Sequence, residues 1–181
     1  LLERAEFIES SNEMIARLAG STDPSMGILV GAPEFNPNPE GKLLFNAVFF
    51  IHRGEVKQVF RKTLLPTYDI FDEYRYFEPA TEFNLVEFKG KRIALTICED
   101  LWDETYDKRI AAELKRQGAS RLFNLSASPF IDGKAATRYQ LLQGKVQTLG
   151  VDLIYANLVG AQDGYEGEVI FDGRSMVFDR N

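Results

Sequence analysis

The chain has 181 residues, of which 45% are hydrophobic and 27% charged, as is typical of a soluble globular domain. One cysteine, Cys98, and one histidine, His52, exclude an internal disulfide and a zinc site made of Cys and His ligands. The net charge of −6 argues against a nucleic-acid partner. No apolar run approaches the roughly 20 residues of a membrane span, so we expect no membrane insertion and a cytoplasmic protein.

The first half of the chain predicts a helix, three strands and a long loop. Apolar residues at helical spacing predict a helix over residues 1–19. Short apolar runs predict three strands, the last two forming a hairpin: 26–32, 43–52 and 55–61. Residues 62–82 predict an irregular loop, and its aromatic side chains indicate that it packs against other residues rather than being disordered.

The second half of the chain alternates strands with helices. Helices are predicted at residues 105–117 and 133–150. The predicted strands, of which the last two are joined at Asp172-Gly173, are 83–88, 91–97, 120–125, 151–158, 168–171 and 175–178. Strands and helices in alternation, with hairpins before and after, predict an α/β layered domain with a mixed sheet.

Cys98 is the first candidate for chemistry. It follows an apolar predicted strand and precedes two acidic residues, Glu99 and Asp100. The carboxyl ends of strands face the ligand crevice of α/β folds, so a cysteine there can act as a nucleophile. A lone cysteine in an apolar strand is more often a small core residue, and its position alone leaves both interpretations open.

A thiol nucleophile also needs a base and a group that stabilises negative charge. His52 lies at a predicted hairpin turn, where histidines are usually solvated, so the sequence disfavours a Cys-His enzyme. A carboxylate with a pKa raised by burial can serve as the base instead. Lys62 begins the long loop directly after a predicted strand and can hold an oxyanion, although in isolation it is equally typical of a surface lysine.

Five stretches of this sequence resemble the nitrilase superfamily of carbon-nitrogen hydrolases, in particular the glutaminase domains of glutamine-dependent NAD synthetases. The lysine loop is RKTLLPTYDIFDE (61–73) followed by RYF (75–77), and the nucleophile strand is LTICEDLW (95–102). The other three are NLSASPF (124–130) with Gly133-Lys134, YANLVG (155–160) and FDGRS (171–175). They match in order over essentially the whole chain.

The resemblance implies an α/β fold, a four-layer α-β-β-α nitrilase-like sandwich with mixed sheets, with its N-terminal part missing here. It also implies a Glu-Lys-Cys triad. Cys98 would attack the side-chain amide of L-glutamine, while Lys62 and a backbone N–H after the cysteine would hold the oxyanion. Ammonia would leave, and water would release glutamate from a γ-glutamyl thioester.

The resemblance assigns further roles by position. Tyr68, Phe71 and Glu99 match positions that line the glutamine pocket, whereas Ser128 and Lys134 match positions that bind its α-amino and α-carboxylate ends. Glu73 is interpreted either as a second carboxylate that orients Lys62 or as a loop salt bridge. The general-base glutamate is expected upstream of this chain, and Glu34 is interpreted as a turn glutamate.

The resemblance also implies partners. Residues 1–181 would be a partial glutaminase domain, inactive alone and attached to a synthetase domain of the parent chain. ATP and deamido-NAD would bind there, with no metal or cofactor in this domain. A homo-oligomer is expected. The alternatives are a stand-alone carbon-nitrogen hydrolase that acts on another small amide, or a non-catalytic interaction domain that retains the fold.

Overall fold

A computed structural model of the chain describes residues 1–38, 40–163 and 167–180. The chain divides into two compact units, Leu1–Glu82 and Phe83–Asn181. The stretch YANLVG (155–160), which carries part of the resemblance, lies within the described residues. Residues 164–166 lie outside them.

The first unit consists of helix α1 and a three-stranded antiparallel sheet. The sheet has the order β1-β2-β3, so β2 is its central strand. The elements are α1 (Ala5–Gly20), β1 (Gly27–Phe35), β2 (Leu44–His52) and β3 (Glu55–Arg61). Side chains of α1 pack on one face of β2, where alternate residues Ala47, Phe49 and Ile51 are buried against Ile15 and Ala19. The predicted helix and hairpin are therefore confirmed.

Strand β1 extends three residues beyond its predicted end. Pro33 lies opposite Asn46 and Glu34 lies opposite Phe45 in the β1–β2 register. A proline is tolerated there because β1 is an edge strand of its sheet, where one backbone N–H needs no partner strand. The interpretation of Glu34 as a turn residue is therefore wrong: it is a strand residue.

Residues 62–82 form the predicted loop, interrupted by one helical turn, α2 (Glu73–Tyr76). Two backbone hydrogen bonds fix the C-terminal end of the loop: Ala80 N–H donates to the Lys62 carbonyl at the start of the loop at 2.9 Å, and Glu78 N–H donates to the Leu44 carbonyl of β2 at 2.8 Å. Phe77 is buried in a cluster with Ile8 and Leu44. The expectation that the aromatic residues of this loop pack against other residues is confirmed at Phe77.

The second unit contains a five-stranded mixed sheet in the order β10-β7-β6-β5-β4. Its strands are β4 (Leu85–Phe88), β5 (Lys91–Ile97), β6 (Arg121–Ser126), β7 (Asp152–Asn157) and β10 (Met176–Phe178). The three central strands are parallel, and both edge strands are antiparallel to their neighbours. Helices α3 (Ile110–Arg116) and α4 (Lys134–Leu149) connect the parallel strands. The mixed sheet and the α/β class are confirmed.

Helix α3 begins five residues later than predicted. Before it lie two 3-10 turns, Cys98–Leu101 and Asp103–Thr105. The Arg109 guanidinium donates to the backbone carbonyls of Asp103, Glu104 and Tyr106, in and directly after the second of these turns. The Asp103 carbonyl also accepts from the Tyr106 N–H at 3.2 Å, which closes that turn.

The C-terminal hairpin also differs from the prediction. Strand β9 (Glu168–Asp172) pairs with β8 (Val159–Asp163), whereas β10 pairs with β7. At Gly173, φ is +64°, and a Cβ atom there would lie 3.2 Å from Cβ of Val159. The chain therefore turns at Gly173 between two sheets, with a conformation that suits glycine. Every residue of β8 is exposed, so the strand lacks the alternation of buried and exposed residues by which strands are predicted.

No helix among the described residues is long and apolar enough to cross a membrane.

The packing of α1 on β2 leads to a stability prediction. Ile51 is fully buried, and Val56, opposite it on β3, is 38% exposed. Ile51→Ala should lower the free energy of unfolding by about 2–5 kcal/mol, because it leaves a cavity beneath α1. Val56→Ala should lower it by less than about 1 kcal/mol. Urea unfolding of both variants tests this, and equal losses would contradict the packing described.

Candidate active site

Cys98 lies at the point where β5 ends and a 3-10 turn begins. Its φ is +44°, the left-handed region that residues with a Cβ rarely adopt. Such a conformation costs of order 1–3 kcal/mol and persists where surrounding contacts hold it. The thiol is half-buried. The structure therefore places Cys98 at the strand end that the sequence predicts, in a strained backbone.

Asp100 holds the turn from inside. Its Oδ2 accepts a hydrogen bond of 3.0 Å from the Ile97 N–H, and the residue is 2% exposed. The Trp102 N–H donates to the Glu99 carbonyl at 2.8 Å and closes the turn. The N–H of Ile97, the last residue of β5, lies where the β-ladder ends. The Asp100 carboxylate thus supplies its hydrogen-bond acceptor.

Asn124 holds the turn from the neighbouring strand. Its Nδ2 donates to Thr96 Oγ1 at 3.0 Å and to the Cys98 carbonyl at 3.4 Å. Its Oδ1 accepts a hydrogen bond of 2.6 Å from Ser126 Oγ. Asn124 is fully buried and lies opposite Thr96 in the parallel β5–β6 register. A buried amide therefore fixes the carbonyl of the candidate nucleophile.

The positioning roles of Asp100 and Asn124 are absent from the sequence prediction, although both residues lie within the motifs that carry the resemblance. A signal for Asn124 exists: polar residues occupy the carboxyl-terminal parts of two adjacent apolar strands, at Thr96 and Asn124. Polar side chains at that edge of a parallel sheet indicate a site.

Glu99 follows Cys98 and is buried, with a relative exposure of 7%. Its Oε1 accepts a hydrogen bond of 2.9 Å from Tyr106 Oη. The carboxylate of Glu99 is therefore buried, hydrogen-bonded and one residue from the thiol.

Lys62 lies in the first unit and is 1% exposed. Its Nζ donates to Glu73 Oε1 at 2.6 Å, and Asn46 Nδ2 donates to Glu73 Oε2 at 3.3 Å. The backbone N–H of Lys62 donates to the Asn46 carbonyl at 2.8 Å. Glu73 therefore forms the salt bridge of the second sequence interpretation, and that salt bridge also determines where Lys62 Nζ lies.

Tyr68 and Phe71 lie close together in the loop of the first unit. Their rings meet edge to face with centroids 5.8 Å apart, and Tyr68 is 52% exposed. An exposed aromatic edge and face of this kind can bind the aliphatic part of a small substrate.

Glu34, interpreted above as a residue without a catalytic role, forms a two-point ion pair with Arg61. Arg61 Nε lies 2.7 Å from Oε2 and Arg61 Nη2 lies 2.9 Å from Oε1. This pairing raises the pKa of the Arg61 guanidinium. Both carboxylate oxygens thus bind a guanidinium, which supports a structural role for Glu34.

Ser128 and Lys134 lie in the second unit, on the connection from β6 and at the start of α4. Ser128 is 3% exposed, and its N–H donates to Asn157 Oδ1 at 2.9 Å. Its Oγ accepts a hydrogen bond of 3.2 Å from Arg138 Nη2. Lys134 is half-buried as the first residue of α4. Arg138, which the sequence analysis does not single out, is therefore the direct neighbour of a predicted substrate-binding residue.

Tyr155 lies beside Arg138, with its ring centroid 5.8 Å from the guanidinium carbon. Burial raises the pKa of the Tyr155 hydroxyl. In residues 1–38, 40–163 and 167–180 there is no group of three or more His, Cys, Asp or Glu side chains that could hold a metal ion.

Comparison with known proteins gives the same family. The carbon-nitrogen hydrolase family matches residues 2–181. The glutamine-dependent NAD(+) synthetase of Synechocystis is 40% identical over 187 residues, which cover 98% of this chain and 33% of that protein. The structure of glutamine-dependent NAD+ synthetase from Acinetobacter baumannii superposes with a TM-score of 0.87 at 29% identity, over 99% of this chain and 32% of that one.

A more distant structure shares the fold. An amidase of the nitrilase superfamily from Nesterenkonia superposes with a TM-score of 0.77 at 21% identity, over 96% of this chain and 61% of that one. The nitrilase-like fold is therefore confirmed.

The chain belongs to the carbon-nitrogen hydrolase family. It spans about a third of the length of the synthetases it matches.

From the Lys62–Glu73 pair we predict that replacing a glutamate by glutamine has a larger effect on stability at position 73 than at position 55. Glu73→Gln should lower the free energy of unfolding by about 2 kcal/mol, because it leaves a buried ammonium without its anionic partner. Glu55→Gln, which breaks the solvent-exposed pair with Lys57, should produce no measurable change. Denaturant unfolding of the two variants checks this, and a similar stability for both would contradict the role of the buried pair.

From the hydrogen-bond network of Asn124, made with Thr96, Cys98 and Ser126, we predict a second difference in stability between two substitutions. Asn124→Asp keeps the shape but removes both N–H donations and buries a carboxylate, so unfolding free energy should fall by about 2–4 kcal/mol. The same substitution at Asn36, in the β1–β2 connection, should lower it by less than about 1 kcal/mol, because one hydrogen bond of 2.8 Å to the Lys42 carbonyl is lost near solvent. Equal losses in thermal or urea unfolding would show that the network does not support the Cys98 turn.

Proposed function

We propose that this chain is the glutamine-hydrolysing part of a glutamine-dependent NAD synthetase. The observation that carries the proposal is Cys98, held in a left-handed conformation at the end of a parallel strand by Asp100 and Asn124. A core cysteine needs no strained backbone and no buried amide on its carbonyl. The synthetase relatives, similar over nearly the whole chain, support glutamine as the substrate.

In the proposed reaction the Cys98 thiolate attacks the side-chain amide carbon of L-glutamine. The C–S bond forms as the carbonyl π pair moves to oxygen, and the resulting oxyanion is stabilised by Lys62 Nζ and a backbone N–H after the cysteine. The C–N bond then breaks, and the nitrogen leaves as ammonia after gaining the proton that the proposed general base removed from the thiol. Water adds to the thioester, and glutamate departs with recovery of the thiol.

Glu73 is proposed to orient Lys62. A buried lysine with a carboxylate at 2.6 Å has a fixed Nζ position, and a preorganised cation requires little rearrangement as the oxyanion develops. The general base is proposed to be a glutamate N-terminal to this chain. Glu34 does not suit that role because both of its oxygens bind Arg61.

For substrate recognition we propose that Tyr68, Phe71 and Glu99 line the glutamine pocket. Ser128 and Lys134 would bind the α-amino and α-carboxylate ends of the substrate. Thiol chemistry on an amide requires no metal or cofactor in this domain. The proposed partners are the synthetase domain, where ATP and deamido-NAD would bind, and further copies of the chain, in the cytoplasm.

Ammonia release from glutamine by the complete natural chain tests the proposal. Cys98→Ala should reduce it to background. Lys62→Met should reduce kcat by about 100- to 1,000-fold, as for loss of an oxyanion donor. Lys57→Met, at an exposed lysine on β3, is the matched control and should retain activity. Ammonia release that survives Cys98→Ala would overturn the mechanism.

Two further measurements distinguish the alternatives. A glutamine-like diazo-ketone should label Cys98 with one equivalent, whereas labelling at another residue would contradict the assignment. In a panel of small amides, glutamine should have the highest kcat/KM. Preference for another amide would favour a stand-alone carbon-nitrogen hydrolase, and absence of hydrolysis with every amide would favour an interaction domain.

A further inference from the structure

Asn46 is a polar residue in an apolar strand. It lies within residues 44–51 of β2, where the other seven residues are hydrophobic and buried. Strand β2 is the central strand of its sheet and is paired along both edges. A polar side chain in such a strand is unfavourable unless it has a hydrogen-bond partner, so the contacts of Asn46 indicate what it does.

Asn46 shares one face of the sheet with Lys62. Ala47, the next residue, is buried against α1, and successive side chains of a strand alternate, so Asn46 points away from that helix. The Lys62 N–H donates to the Asn46 carbonyl at 2.8 Å, one step beyond the paired residues Ala47 and Arg61. Side chains opposite one another in an antiparallel pair lie on the same face, so Asn46 and Lys62 are neighbours there.

Asn46 binds both members of the Lys62–Glu73 pair, through different groups. Its backbone carbonyl binds the Lys62 N–H, and its Nδ2 donates to Glu73 Oε2 at 3.3 Å. Lys62 Nζ takes the other carboxylate oxygen, Oε1, at 2.6 Å. Two different side chains therefore hold the two oxygens of Glu73, and one of them belongs to the central strand of the sheet.

The hydrogen bond from Asn46 fixes the orientation of Glu73 rather than merely satisfying a buried oxygen. The Glu73 side chain is 19% exposed, so water can bind Oε2 in place of the amide. Water would satisfy the oxygen without setting its position. The backbone of Glu73 belongs to a single helical turn within a long loop, whereas Asn46 lies on a strand paired on both sides. The amide thus attaches the carboxylate to the rigid part of the first unit.

The position of the carboxylate determines the position of the ammonium group. A carboxylate bound at one oxygen can rotate about that contact and take Lys62 Nζ with it, whereas one bound at both oxygens has a fixed plane. A group that stabilises an oxyanion must lie within hydrogen-bond distance of the place where the charge develops. A displacement of about 1 Å can reduce the rate about 100-fold.

We propose that Asn46 is a positioning residue for the oxyanion-binding lysine: it holds the Glu73 carboxylate in the orientation that places Lys62 Nζ. The inference rests on the proposed glutamine hydrolysis and on the role proposed there for Lys62. It extends the positioning of that lysine from a loop residue to the central strand of the first unit.

Steady-state kinetics of the complete natural chain with L-glutamine test the proposal. Asn46→Leu removes the amide donor, and Asn46→Asp keeps the shape but turns an acceptor with a like charge toward Glu73. Both should lower kcat about 10- to 100-fold, Asn46→Asp more strongly, because an oxyanion contact exists in the transition state alone. KM should stay within about twofold. Asn36→Asp, in the β1–β2 connection, is the matched control and should keep kcat within about twofold.

A double-mutant cycle separates positioning through Glu73 from a general structural role. Glu73→Ala removes the acceptor, so adding Asn46→Leu to it should lower kcat by less than a further twofold or so. Lys62 is still present in that variant, so its ammonia release should exceed the Cys98→Ala background. Thermal unfolding identifies the variants that are folded at the assay temperature. If Glu73→Ala is not, the kcat and KM values of Asn46→Leu decide the question, because that substitution buries no charge.

A kcat for Asn46→Leu within about twofold of the unsubstituted value would overturn the proposal. An equal loss with and without the Glu73 side chain would show a merely structural role, and a higher KM at unchanged kcat would place Asn46 in contact with the substrate; each would also overturn it. Failure of the proposed function is seen separately, as an unsubstituted protein that does not hydrolyse glutamine or as activity that survives Cys98→Ala.

Discussion

A cysteine in the left-handed region of backbone space requires that other groups hold it there, and two buried side chains of the second unit do so. The N–H before Cys98 binds the carboxylate of Asp100, and the carbonyl of Cys98 binds the amide of Asn124. The strain costs of order 1–3 kcal/mol, comparable to the net contribution of one or two hydrogen bonds to charged or buried groups.

In the first unit, Lys62 likewise depends on another residue to stabilise it in its buried position. An ammonium group that is 1% exposed needs a partner, and Glu73 supplies one from a single helical turn within an otherwise irregular loop. The loop can hold that carboxylate in place because its backbone is tied to Lys62 and Leu44 at its C-terminal end. Loops that carry functional groups are commonly fixed to a rigid scaffold in this way.

The sequence predicts the parts of this structure that depend on local patterns. The apolar run before Cys98, the hairpin of β2 and β3 and the α4 helix are each visible as a period or a turn signal. The left-handed φ of Cys98 is not, because it depends on Asn124, which is 26 residues away in the chain. The turns before helix α3 are not visible either, because the contacts of Arg109 with three backbone carbonyls in residues 103–106 follow no periodic pattern. Arg138 is a missed residue that has a clear local signal, a charge on an apolar helical stripe.

Strand β6 connects the proposed chemical step to the proposed substrate contact. Asn124, Ser126 and Ser128 are spaced two residues apart, and each uses its side chain in the polar interior: on Cys98, on Asn124 and on Arg138. Successive side chains of an extended chain alternate between faces, so this spacing keeps the three polar groups on one side as far as the strand continues. Four residues of extended chain span at most about 14 Å. The distance between Asn124, which binds the Cys98 carbonyl, and Ser128, which would bind one end of the substrate, is thus limited by covalent geometry.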